Sequence, residues 1–268
     1  MHESPADPDR RREELRQTFE SVAGLYDRVR PSYPDELFDD LARFVRSGGR
    51  ILEIGPGTGQ ATLPLAERGF EVVAVELGTE LAAFAEKKLA SYSTVEIVNG
   101  DFESWPSDRR FDAVVAFTAF HWIDPALRYT KAAALLQPGG VLAVTEVSHV
   151  RVQYGDSFWV EVQDDYDAVV PGPDNRPPPQ VEDVGDLRSE IEATDLFADL
   201  EVRRYLWDVT YNSDNYVDVL RTYSPNIARD PAASNELLRR IRARIEARDN
   251  PRVTKSYLAT MNIARTRR

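Results

Sequence analysis

The sequence predicts an α/β protein built on a doubly wound, mostly parallel sheet. Two observations predict it. Between residues 50 and 147, short apolar runs alternate with helical segments, the rhythm of parallel strands joined by crossover helices. The first of these runs, Ile51-Leu52-Glu53-Ile54, passes straight into Gly55-Pro56-Gly57-Thr58-Gly59. Glycines in such a turn let backbone approach a ligand closely, because no Cβ stands in the way.

Residues 1–12 read as a disordered tail, polar and rich in Arg and Pro. A helix begins near Glu13 and runs through Phe19 and Val22 toward Leu25. Pro31 and Pro34 forbid its continuation, so 26–34 is an ordered connector. Asp35-Glu36-Leu37 opens the next helix, and Ser47-Gly48-Gly49 ends it. Strand one covers 51–54, apolar on both faces as a central parallel strand requires. A crossover helix over 60–68 leads past Gly69 to strand two, 71–76. That strand ends in Glu76, about twenty residues beyond the glycine turn, where a ribose-binding βαβ unit carries its acidic residue. A helix through Leu81, Ala85 and Leu89 precedes strand three, 94–98, which closes on Asn99-Gly100-Asp101. Strand four, 111–116, runs into Thr118-Ala119-Phe120-His121-Trp122. A helix over 125–136 stops at Gln137-Pro138-Gly139-Gly140 and gives way to strand five, 141–147.

The alternation breaks at residue 148. Phe158, Trp159, Val162, Tyr166 and Val169 fall at helical spacing, then Pro171 to Pro179 form a stiff loop, then a helix passes through Leu187 and Ile191. We read 148–195 as a helical cap over the carboxyl edge of the sheet. Its aromatic stripe packs the cap, with Phe158 and Trp159 as candidate pocket residues. Residues 196–268 complete the core: a strand over 200–211, helices over 216–223 and 236–248, and a last strand over 252–264. Asp164, Asp165 and Asp167 read as a solvated helix face, as do the arginines of 239–248.

Composition narrows the function. The 268 residues carry a net charge of -12, which repels a phosphate backbone and argues against nucleic acid. There is no cysteine, and the three histidines are dispersed, so no metal site is expected. No apolar run is long enough to span a membrane, and the amino terminus has no secretory character. A cytoplasmic chain, monomer or homodimer, is expected.

The glycine turn reads G-x-G-x-G after an acidic residue, Glu53, and not as the G-x-G-x-x-G of a dinucleotide site. This pattern resembles the first motif of the class I S-adenosylmethionine (AdoMet) dependent methyltransferases. The segment Tyr26-Asp27-Arg28-Val29-Arg30-Pro31-Ser32-Tyr33-Pro34, the Pro138-Gly139-Gly140 turn and the acidic positions Glu76 and Asp101 resemble further landmarks of that family. The resemblance covers about 19–147 well and the remainder by topology. It implies a Rossmann-like sheet of seven strands whose last strand is antiparallel, between strands five and six.

The resemblance also implies AdoMet as cofactor. Glu53 would hold the methionine amine, and Gly55, Gly57 and Gly59 the methionine end. Glu76 would bind the ribose, with Leu77, Asp101, Phe102 and Phe117 around the adenine and the cleft. Tyr26 and Arg30 would face the methionine carboxylate or the acceptor. His121-Trp122-Ile123-Asp124 resembles the H-W-x-D run of a subgroup that includes trans-aconitate-type carboxyl methyltransferases. His121 is either a general base or a packed pocket residue, and Trp122 a pocket wall. The expected activity is methyl transfer to an O, N or C atom of a small molecule, in secondary metabolism. A carboxyl methyltransferase with Arg30 or a cap arginine as clamp, a non-catalytic AdoMet-binding protein and a nicotinamide oxidoreductase are the alternatives.

Overall fold

The computed structural model describes residues 23–172, 175–227 and 229–267. The expected tail 1–12 and the first part of the helix from Glu13 lie outside the described residues. The strands are β1 (Arg50–Ile54), β2 (Glu71–Glu76), β3 (Val95–Asn99), β4 (Phe111–Phe117), β5 (Leu136–Val150), β6 (Phe197–Asn212) and β7 (Arg252–Thr266). They form a seven-stranded sheet in the order β3-β2-β1-β4-β5-β7-β6. β1 to β5 pair in parallel. β7 runs antiparallel to both β5 and β6, as expected.

The helices are α1 (Ala23–Val29), α2 (Asp35–Ala42), α3 (Thr62–Glu67), α4 (Thr79–Leu89), α5 (Arg128–Leu135), α6 (Phe158–Glu161), α7 (Gln163–Val169), α8 (Arg188–Glu192), α9 (Ser213–Arg221), α10 (Ser224–Ile227) and α11 (Pro231–Glu246). Successive strand residues go to opposite faces of the sheet, which explains strands apolar on both sides. Ile51, Val72 and Val115 pack under Leu37, Phe38 and Leu41 of α2. Their neighbours Leu52, Val73 and Val114 pack on the other face with Tyr129, Ala132 and Leu135 of α5.

Two expectations need correction. The Pro-Gly-Gly turn does not precede strand five but lies inside it. β5 begins at Leu136, and its register against β4 shifts between Phe111 and Ala113. Gly139 there has φ +72°, so the glycine relieves an irregularity in the ladder. Second, residues 196–268 do not only complete the sheet. Between β6 and β7 the chain leaves it, and α9 and α11 bury Tyr216, Val217, Leu237 and Ile241 against Phe158, Trp159 and Val162 of the cap. The helical layer is therefore built from two insertions. Asp230 caps α11 by accepting from the N–H groups of Ala232 and Ala233, with Pro231 starting the first turn.

The arginines of α11 are ion-paired: Arg239 and Arg240 with Glu236, Arg242 with Asp214 and Arg244 with Asp165. Asp165 is not solvated as expected. It is 7% exposed and pins α7 to α11 through Arg244. Among the described residues, no helix is long and apolar enough to cross a membrane.

Candidate functional site

In the strand order 3-2-1-4-5, chain connections diverge between β1 and β4, and open α/β sheets bind ligands at the carboxyl ends of strands at that point. A cleft lies there. It is lined by Glu53, Gly55, Gly57, Glu76, Leu77, Phe102, Phe117, Trp122 and Tyr26, all expected from the sequence. Tyr33, Gln60, Gly100 and Thr118 line it too. These were not singled out, although Tyr33 and Thr118 stand within or beside motifs that were.

The three loop glycines do different things. Gly55 and Gly57 have φ +64° and +58°, a region side chains disfavour. A Cβ on Gly55 would come within 2.7 Å of the Ala119 Cβ. A Cβ on Gly57 would meet no protein atom within 4 Å, so this glycine borders open space. Gly59 is a packing residue: a Cβ there would lie 2.9 Å from Leu89 of α4, and Gly59 does not line the cleft.

Two carboxylates face the loop. Glu53, on β1, is 1% exposed, and its Oε2 has no hydrogen-bond partner. Burial pushes its carboxyl up to about 7, with the Thr62 hydroxyl opposing and the nearby Glu76 charge adding. An unpartnered buried oxygen is costly unless a donor arrives. Glu76, 7% exposed, is held by backbone: its Oε2 accepts from the Gly57 N–H at 2.9 Å and its Oε1 from the Gly78 N–H at 2.8 Å.

Past β4 the chain turns sharply. Thr118 has φ +54°, a strained value for a β-branched residue. It is held there by its N–H to Thr145 O at 2.8 Å and by contact of its hydroxyl with Tyr33 Oη at 3.4 Å. A 3-10 turn, Phe120–Trp122, follows. Trp122 lines the cleft, whereas His121 is 48% exposed by side chain and packs at a tilt against Trp122 with centroids 4.9 Å apart. The orienting partner of His121 that the sequence did not reveal is Glu146 of β5, whose Oε2 lies 3.3 Å from Nδ1. A strand separation of 25 residues hides that pair from any local pattern.

Besides Gly59 and His121, four expected site residues are not brought to the cleft lining. Asp101 closes its own turn by accepting from the Glu103 N–H at 2.9 Å. Arg30 donates Nε and Nη2 to the hydroxyl and carbonyl of Thr222 at 2.8 and 2.9 Å. Its guanidinium lies over the rings of both Tyr26 and Tyr223, 4.8 and 4.1 Å from their centroids. Phe158 and Trp159 are 0% and 4% exposed. They belong to the cap's core, with the indole Nε1 donating to Thr254 O at 2.7 Å, and so are corrected from pocket to packing residues. The helix α1 that carries Tyr26 is tied to the core as well, through Asp27 and Lys88 of α4 at 2.6 Å.

Chemically, the cleft offers a buried carboxylate lacking a donor, a second carboxylate anchored at a loop crossing, and an apolar wall from Leu77, Phe102 and Phe117. That set suits a ligand with a cationic end, a vicinal diol and a flat ring. Among the described residues no cluster of metal-ligating side chains occurs.

Sheet order, cleft and loop together define a Rossmann-like α/β domain with its cleft at the strand switch point. Residues 51–140 match the family described as a methyltransferase domain. Over 133 residues the chain is 38% identical to an uncharacterized methyltransferase of Mycobacterium tuberculosis, covering 50% of this chain and 53% of that protein. An uncharacterized methyltransferase of Geobacillus kaustophilus is 30% identical over 142 residues, 48% of this chain and 65% of its own length. The chain thus spans about half to two thirds of the length of these relatives. Among solved structures, Haemonchus contortus phosphoethanolamine N-methyltransferase 2, in complex with phosphomonomethylethanolamine and S-adenosylhomocysteine, shares the fold. The TM-score is 0.55 at 17% identity, covering 98% of this chain and 61% of that one. The YcgJ protein of Bacillus subtilis gives a TM-score of 0.53 at 15% identity, covering 87% and 98%.

Proposed function

We propose that the protein is an AdoMet-dependent methyltransferase acting on a small-molecule acceptor. The observation that supports this most is the buried, unpartnered Oε2 of Glu53, set beside Glu76 across a glycine loop at the strand switch point. Glu53 would take the ammonium of the methionine end, which supplies the missing donor. Gly57 would leave room for that end. Glu76 would accept from the ribose hydroxyls while staying anchored to Gly57 and Gly78. Leu77 and Phe102 would pack the adenine, and Asp101 would stiffen the turn beside it.

When bound, AdoMet supplies a methyl group already activated by its sulfonium. The protein is then left to align the acceptor and keep water out. Tyr26, Tyr33, Phe117 and Trp122 form aromatic walls suited to that task. His121, braced by Glu146 at the exposed rim, would guard the acceptor's way in. The carboxyl methyltransferase reading loses one of its two expected clamps, because Arg30 is bound to Thr222.

Isothermal titration with AdoMet and with NAD tests the cofactor, and binding of NAD in preference would overturn the reading. Incubation of the protein and AdoMet with a metabolite extract, read by mass, then tests transfer. AdoMet binding without any methylated product would favour the non-catalytic alternative.

A further inference from the structure

Two walls of the cleft come from different strand-helix units and are tied to each other. The turn after β3 contributes Gly100 and Phe102, and the turn after β4 contributes Thr118, Ala119, Trp122 and Ile123. Inside the second turn the backbone bonds are local: the Trp122 N–H donates to Ala119 O at 3.1 Å and the Ile123 N–H to Phe120 O at 3.3 Å. The near end of the turn is fixed to β5 through the Thr118 N–H on Thr145 O. At the far end the next N–H, that of Asp124, reaches across to the β3 turn and donates to Glu103 Oε1 at 3.0 Å. Glu103 directly follows Phe102, and its own N–H is held by Asp101 Oδ1. A second grip comes from the first turn of α5. Lys131 Nζ donates to the carbonyls of Glu103 and Trp105 at 3.0 and 2.9 Å, and lies 5.2 Å from the centroid of the Phe102 ring. Phe102 and Ile123 are both buried and share one core cluster.

We propose that Glu103 and Lys131 are positioning residues that make the acceptor wall depend on the adenine. A ring seated on Phe102 holds the β3 turn, and the bonds from Asp124 and Lys131 then hold the turn that carries Trp122 and Ile123. This rests on the methyltransferase reading, in which Phe102 packs the adenine and Trp122 the acceptor. Neither Glu103 nor Lys131 lines the cleft, so both act through the backbone of the two turns. A hydrogen bond to an ionised carboxylate is stronger than a neutral one, which suits Glu103 to the task. A surface turn fixed by a few bonds opens locally at small cost. A ligand shifts that opening only by contacts it makes better in the closed form. The adenine supplies such contacts on one turn, and the brace passes them to the other. The consequence is an order of binding: the adenosyl group first, then the acceptor against a wall already set. By linkage, the acceptor tightens AdoMet by the same factor.

Hydrogen exchange of the full chain, read by mass over 51–60, 100–105 and 118–127, tests this without an acceptor. The probes are AdoMet, 5′-methylthioadenosine, which keeps the adenine and ribose but lacks the amino-acid end, and methionine, each at saturation. In the parent protein, AdoMet and methylthioadenosine should each slow exchange over 118–127 about tenfold, and methionine should not. In Glu103→Ala and in Lys131→Met, AdoMet should still protect 51–60 but leave 118–127 within about twofold of its ligand-free rate. Glu103→Gln keeps an oxygen to accept from Asp124 and should restore the response. A brace with no part in coupling would speed exchange over 118–127 in the free variants and leave their response to AdoMet intact, and that result overturns the proposal. So does protection of 118–127 by methionine alone in the parent. Should a variant lose its fold, seen as lost protection of β4 and β5, methylthioadenosine against methionine on the parent decides the matter. If AdoMet protects 51–60 but not 118–127 in the parent, this inference fails alone. If AdoMet protects neither, the functional reading fails with it.

Discussion

The carboxylate of Glu76 accepts from the backbone N–H of Gly57 at 2.9 Å. One side chain at the end of β2 thereby holds the loop at the end of β1. Because the same group would receive the ribose, Glu76→Gln should act twice, on loop and ligand. A charge-assisted hydrogen bond contributes about 1.5–3 kcal/mol, so AdoMet affinity should fall about ten- to a hundredfold. Calorimetry would show this, and an unchanged Kd would remove Glu76 from the site.

Gly57 and Gly59 should separate binding from stability. At Gly57 a side chain meets no protein atom within 4 Å, so Gly57→Val should cost only the positive-φ penalty of about 1–2 kcal/mol while abolishing AdoMet binding. At Gly59 an added Cβ presses on Leu89 at 2.9 Å, so Gly59→Ala should lower the melting temperature and weaken AdoMet binding much less. Melting curves with and without AdoMet measure both, and retained affinity in Gly57→Val would move the methionine end elsewhere.

Glu53 makes the protein's pH response readable. Its folded value is raised from 4.5 to about 7, so the stability it contributes is full below pH 4.5 and is lost as pH rises through about 7. The loss amounts to about 3 kcal/mol at the alkaline end. Glu53→Gln should therefore unfold at a higher temperature than the parent at pH 8. A cationic ligand favours the ionised carboxyl, so AdoMet binding below pH 7 should release a proton and tighten as pH rises toward 7. Calorimetry in two buffers of different ionisation enthalpy counts that proton, and a count of zero at pH 6 would contradict the assignment.

His149 acts with the opposite sign. It is held neutral in the aromatic layer, 4.2 Å from the Trp159 centroid, and burial together with the Lys255 charge lowers its value from 6.5 to about 2. Its contribution is present above pH 6.5 and is lost as pH falls, by about 2 kcal/mol near pH 5. Denaturant midpoints of His149→Phe should fall less between pH 7 and pH 5 than those of the parent. Parallel slopes would show that the histidine is protonated in the folded state.

The parallel half was legible because its information is local. Ile51 to Ile54, Val72 to Val75 and Val114 to Ala116 carry apolar residues for both faces, and Gly55, Gly57 and Glu76 sit at their ends. The cap's presence was legible but its contacts were not, because they join residues far apart. Trp159 meets Thr254, Asp165 meets Arg244 and Arg30 meets Thr222, pairs that no helical or strand period encodes. The same holds for His121 and Glu146. Arg30 reads from sequence as a ligand clamp because nothing nearby in the chain claims it; its partner comes 192 residues later.

Asp27 and Arg30 stand one helical turn apart at the end of α1, yet they report to different parts of the molecule: Asp27 to Lys88 of the parallel half, Arg30 to Thr222 of the helical layer. Tyr26, beside them, forms part of the cleft wall. A tilt of this short helix cannot be felt by one half alone. The two halves are geared together through a single turn of helix, and the gear tooth between them is a wall of the cleft itself.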